Sequence, residues 1–449
     1  MLEQAVYAGR NHAVSLAVAV LALFAAPASA QPPAPVEVGR LGLGSAFGEL
    51  IGGPDGGVWM RIDRSLVGQK PSGLWDDAIG HATTDDRFRR VTVEGPVFGG
   101  RAALGPDGQA WFPSGGTLYR SDAEGTVTSG PLTRPIGDVA TRGPDGALWS
   151  AEGITRTLLR ADAQGTVTTL PFALPAGCDD PTIFFEMTTA IDGAVWLADD
   201  LCRRLVRIAP DGTSSTVALT ADDRVAHLAP DRAGGIWLAL RGDPYGVAHV
   251  DAAGTLRRWP LPDDRGPVLG IAVAQDGVAH LAFGRCELGR ITPDGALTFG
   301  AAPIPAEHLA FDPQGGLWLA SPNRLVHAPA PPLARAACDD TPPRVTLSPT
   351  LRGPIRLARL RRGVRITVRE PAVVGVGGDY GDDDHDSRQR IFRARRGGSF
   401  VFHVPKAALR RLERAVAAGR KPVISLYFEA GDRDGNVAQT DREEILVTR

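Results

Sequence analysis

At 449 residues the chain exceeds what one hydrophobic core organises, so two or more domains or a repeat architecture is expected. A formal net charge of -2, from 49 basic and 51 acidic residues, gives no electrostatic reason to expect nucleic acid or an anionic membrane as partner. The 54 glycines and 36 prolines in a chain that is 43% hydrophobic suit many short strands joined by tight turns and argue against disorder.

At the N-terminus Arg10 precedes an apolar run from Ala13 to Ala26, then Pro27 and the small-x-small triplet Ala28-Ser29-Ala30. This reads as an export signal over residues 1–30, with a secreted or envelope-associated protein as the consequence. The run is short for a bilayer span, so no membrane span is expected after cleavage; the thin basic region keeps a retained anchor as the alternative. Four cysteines, Cys178, Cys202, Cys286 and Cys338, fit an oxidising compartment and allow three connectivities. Cys178 with Cys202 is the preferred pair, because the two bracket one repeat, which leaves Cys286 with Cys338.

From Val36 onward the chain repeats. A turn rich in Asp and Gly, an apolar residue and Trp recur at Trp59, Trp111, Trp149, Trp196, Trp237, His280 in the Trp position, and Trp318. Three copies carry the full Gly-Pro-Asp-Gly turn, at Gly53, Gly105 and Gly143. The spacings of 52, 38, 47, 41, 43 and 38 residues match one four-stranded blade, and a second turn late in most copies supplies the second hairpin. The predicted fold is all-β: a seven-bladed β-propeller over residues 31–336, with the Trp layer packed between blades. The last copy lacks a fourth strand, which Val36 to Leu41 can supply, closing the ring. Trp75 falls outside the repeat and is a candidate exposed contact.

Beyond Asp339 the repeat stops. Strand-like segments at 344–347, 364–368, 399–404 and 423–428 predict a small β-sandwich over 340–449, with one inserted amphipathic helix from Ala407 to Ala418. The stretch Phe428 to Asn436 is similar to the end of a bacterial immunoglobulin-like domain. The acidic run Asp379, Asp382, Asp383, Asp384 and Asp386 reads as a solvated loop, or as a calcium site together with Asp432 and Asp434.

The repeated Gly-Pro-Asp-Gly, apolar residue and Trp resemble the virginiamycin B (streptogramin) lyase family over roughly Val36 to Val326. The resemblance implies a seven-bladed propeller and a magnesium-assisted ring-opening elimination, carried by glutamates and a histidine at one mouth of the channel. Members commonly place Glu three residues after Trp; here Glu152 holds that position in the third copy and Asp199 in the fourth.

Equivalent repeat positions form rings around a propeller axis. Ten residues before each anchor lie Glu49, Arg101, Val139, Glu186, His227, Gly270 and His308. Glu186, His227, His308 and Glu152 are the candidate catalytic residues; Glu49, Glu186 and Asp199 are candidate ligands for Mg; Arg101 and Trp75 are candidate binding residues. A solvated, internally paired mouth, a recognition site and a catalytic site are the three readings of this ring. The first function expected is a recognition or scaffold protein, monomeric, with an extracytoplasmic ligand that is a small molecule, glycan or protein. The alternative is a magnesium-dependent carbon-oxygen lyase or related hydrolase.

Overall fold

A computed structural model describes residues 35–41, 46–63, 78–93, 102–114, 116–137, 139–152, 157–170, 184–328, 338–348, 354–379, 390–432, 436–439 and 443–448. The expected leader over 1–30, Trp75, Arg101, Cys178, Asp382 to Asp386 and Asp434 lie outside these residues.

Seven four-stranded antiparallel sheets follow in chain order, as the repeat predicts. Their first strands are Ala46–Gly52, Ala103–Leu104, Val139–Arg142, Phe184–Thr189, Arg224–Pro230, Gly270–Val273 and His308–Phe311. Residues from all seven line one cavity of about 690 Å³, which makes them the inner wall of the channel. The seventh sheet takes its outer strand from the other end of the described chain: Val36–Arg40 runs antiparallel to Arg324–Ala328, with Val36 opposite His327 and Arg40 opposite Arg324. Glu37 fastens this closure by accepting from Arg40 (2.7 Å) and Arg324 (2.8 Å), and these guanidinium contacts hold its carboxyl below the ordinary range.

The Trp strands explain why one motif recurs. Trp59, Trp111, Trp196, Trp237 and Trp318 are completely buried, and each packs with the following blade; Trp318 joins Leu50, Val58 and Met60 of the first. Trp318 donates to the carbonyl of Gly56 (3.0 Å), and Trp59 to that of Asp122 (3.1 Å), both in neighbouring blades. From the third strand a flat polar side chain covers the ring: His81 at 4.6 Å, Arg120 at 5.3 Å, His249 at 4.8 Å and His327 at 4.4 Å. His280 fills the same seam in the sixth blade, edge-on to Phe311 at 5.0 Å.

The turn before each Trp is built by an Asp side chain. Asp107 and Asp145 accept from the backbone two residues on and also from their own Trp indole, at 3.1 and 2.9 Å. The first Gly of the motif lies against the ring: a Cβ on Gly143 would stand 2.2 Å from Trp149. Blades five and seven solve the turn differently, with Asp at the first position. There Asp231 and Asp312 cap the turn and bind His249 and His327 on the third strand.

The C-terminal region forms a three-stranded sheet (Val345–Ser348, Val364–Val368, Gly398–Phe402) and a second sheet built on Val423–Gly431. Both sheets and two helices share one core that includes Ile366, Val374, Phe402, Leu412 and Ile424. The expected helix is α2, Lys406–Ala417; a shorter helix, α1, Leu357–Arg362, was not anticipated because its run of arginines hides the buried Leu357 and Leu360. Cys286, on the third strand of blade six, is bonded to Cys338 ahead of this region. Cys202 is disulfide-bonded too. Asn323 in blade seven donates to the carbonyl of Asp432 (3.2 Å), and Asn436 to that of Asp339 (3.0 Å). No helix among the described residues is long and apolar enough to cross a membrane.

Candidate functional site

Register decides which residues share a level around the channel. Val139, Glu186, His227, Gly270 and His308 each pair with the residue two beyond the Trp position, namely Ala151, Ala198, Ala239, Ala282 and Ala320. They therefore occupy one ring at the start of the inner strands. The antiparallel return places Glu152 and Asp199 at this same mouth. Bulges interrupt the ladder between Phe47 and Leu50, Phe184 and Glu186, and Val225 and His227. Bulges re-aim side chains, and these three fall in the blades that supply Glu49, Glu186 and His227.

Among the described residues the structure brings Glu186 and His227 together. Glu186, 5% exposed, has Oε1 3.7 Å from Nδ1 of His227, which is half-buried. Glu49 is exposed and lines the channel cavity. His308 is half-buried at its predicted place in the ring.

The other acids have structural duties. Asp199 is fully buried, with one oxygen accepting from Arg204 (3.0 Å) and the other from the backbone of Cys202 (3.1 Å). Glu152 accepts from Arg134 (3.2 Å) and Thr157 (3.3 Å). Among the described residues no three His, Cys, Asp or Glu side chains gather as a metal site, so Glu49, Glu186 and Asp199 are not brought together as one ligand set. Arg101 and Trp75 lie outside the described residues.

Sequence reasoning passed over Glu307. It follows the long strand Leu297–Ala306, immediately precedes His308, and burial alone pushes its carboxyl up to about 6. The available signal was an acid wedged between a buried apolar stretch, Ala302 to Ala306, and a ring histidine. Asp200 was missed as well. Burial raises its carboxyl against the pull of Arg224, Arg203 and Arg241, and it accepts from the backbone of Val225 at 3.0 Å. Leu201 (42% exposed) and Tyr245 (37%), on neighbouring hairpin loops of blades four and five, give the mouth an apolar flank. The cavity itself lies beyond this ring: of the ring residues it is lined by Glu49 and not by Glu186, His227 or His308, and at its far end are Arg142 and Arg232 beside Phe311 and Pro230.

Seven blades around a channel lined by their inner strands define a β-propeller, with ionisable side chains at one mouth. The model of the virginiamycin B lyase family matches residues 87–324, and the chain belongs to that family. A solved streptogramin B lyase superposes with a TM-score of 0.52 at 17% identity, covering 65% of this chain and 96% of that one. The virginiamycin B lyase of Staphylococcus aureus gives 0.54 at 13% identity, covering 65% and 98%. The extracellular domain of a putative hybrid two component system from B. thetaiotaomicron gives 0.50 at 12%, covering 93% of this chain and 58% of that one. Identities this low speak to fold alone. No curated protein sequence matches the chain.

Proposed function

We propose that the chain is a secreted recognition or scaffold propeller that holds its ligand at the channel mouth beside blades four and five. The observation that carries this reading is the approach of buried Glu186 to His227, 3.7 Å apart; exposed Leu201 and Tyr245 sit on loops of the same two blades. A carboxylate and an imidazole in adjacent blades offer an acceptor and a switchable donor at one point. With an aliphatic and a phenolic neighbour they suit an amphipathic ligand of peptide or depsipeptide kind. The leader over 1–30 supports an extracytoplasmic location. The C-terminal domain, read as immunoglobulin-like, serves as a spacer or surface contact for a monomeric propeller.

A magnesium-dependent carbon-oxygen lyase is the second reading, supported by the raised carboxyl of Glu307 beside His308. The described donor set does not fit magnesium: both oxygens of Asp199 are engaged within the protein, and Glu152 is held by Arg134 and Thr157. The two readings separate when the chain is mixed with a streptogramin B-type cyclic depsipeptide and magnesium, with calorimetry for binding and chromatography for the linear product. Saturable binding weakened by Glu186→Gln and His227→Ala, with the cyclic compound recovered intact, is the expected result. Ring opening abolished by Glu307→Gln would establish the lyase instead.

A further inference from the structure

We infer that helices α1 and α2 of the C-terminal domain form a docking ridge for an acidic polysaccharide. The near-neutral total conceals a segregation of charge. Arg356 to Arg369 contains six arginines and no acid, and Arg390 to Lys421 contains ten basic residues against Glu413 alone. In a chain whose net charge is -2, the remaining residues therefore carry the compensating negative excess. Total charge is blind to this arrangement, which is why composition gave no reason to expect nucleic acid or an anionic membrane.

The helices put the cations outside. Leu357 and Leu360 of α1, and Ala408, Leu412 and Ala415 of α2, are buried in the domain core. The exposed positions of both helices are alanine, arginine or lysine. Arg361 meets Glu413 across the two helices at 2.8 Å, which engages the one acid of these stretches. An open groove along α2 is walled by Arg410, Arg411 and Arg414, together with Glu413, whose carboxylate Arg361 holds. Arg359 and Arg362, and likewise Arg410 and Arg414, stand one turn apart, where like charges oppose helix formation. Neither helix has an acid in its first turn to relieve that repulsion. Anions supplied by a partner would relieve it.

The same faces select the partner. The apolar stripe of α2 is spent on the core, so no hydrophobic edge is left to enter a bilayer. No aromatic side chain stands on either helix to stack with bases. What remains is a row of guanidinium forks, whose geometry matches carboxylate or sulfate groups repeated along a hydrated chain. This docking is independent of what the propeller mouth holds.

The experiment uses the full chain and polygalacturonate as probe, with phosphatidylglycerol vesicles and duplex DNA as parallel arms. Binding to the polyuronate should weaken about tenfold or more between roughly 50 and 300 mM NaCl, as a contact made by many charges does. The combined variant R359Q/R362Q/R410Q/R414Q keeps good helix formers and should lose about tenfold in affinity or more with unchanged circular dichroism. R142Q/R232Q, which alters the propeller channel only, should bind as the unmodified chain does. No binding at the lower salt, an undiminished affinity in the quadruple variant, or tighter binding to vesicles or DNA than to the polyuronate would overturn the inference.

Discussion

Replacing Glu307 by glutamine should stabilise the protein at neutral pH and leave it unchanged in mild acid. Burial lifts the Glu307 carboxyl from its ordinary 4.5 to about 6, and among the described residues no charged partner offsets it. The folded chain therefore holds this proton more tightly than the unfolded chain does. Its contribution is fully present below pH 4.5 and is lost as the pH rises through about 6. At 1.36 kcal/mol per pH unit, the charged carboxylate costs the fold about 2 kcal/mol at pH 7.5. Glutamine keeps the shape and removes the ionisation, so the variant should melt a few degrees higher at pH 7.5 and at the same temperature near pH 4.5. Calorimetric or circular dichroism melts of both proteins at the two pH values measure this. Equal melting temperatures at both, or a less stable glutamine variant at pH 7.5, would show that the carboxylate is satisfied and that desolvation is the wrong account.

The opposite sign is expected at His280, whose imidazole is pushed down to about 4 by burial in the Trp layer. Its folded pKa is depressed below 6.5, so stability falls as the pH drops from 6.5 toward 4, and His280→Phe should remove about 3 kcal/mol of that acid sensitivity in the same melts. Trp237→Ala opens a cavity between blades five and six and should cost about 3–5 kcal/mol in urea unfolding. Gly143→Ala drives a methyl group to 2.2 Å from Trp149 and should lower the melting temperature more than Gly108→Ala. The latter meets no atom within 4 Å and carries only the strain of φ 77°, about 1–2 kcal/mol.

The fold was legible because its constraints are local. A turn capped by Asp, a glycine pressed on the indole and a Trp on the second strand recur in most blades, with Asp231, Asp312 and His280 as local variants, and Val36 to Leu41 is the spare strand an incomplete seventh sheet requires. The ring was legible for the same reason, since register carries Glu186, His227 and His308 to one level without knowledge of their neighbours. Glu307 was hidden because its proton affinity comes from surroundings supplied by other strands, among them Gly284, which lies 23 positions away by numbering. The engagement of Asp199 depends on which side chains return in the next strand: Arg204 is five residues on, and only folding shows that it turns back. The basic ridge escaped because a sum over the whole chain cancels what the helices separate.

Glu37 and Arg324 lie 287 positions apart, yet their contact seals the ring. The earliest strand of the propeller must wait, unpartnered, until almost the last has been made. Closure of so long a loop is slow, and until it happens the growing polypeptide stays an open, threadable arc. Any machinery that needs the polypeptide unfolded has that interval, and only that interval, in which to act before the ring locks.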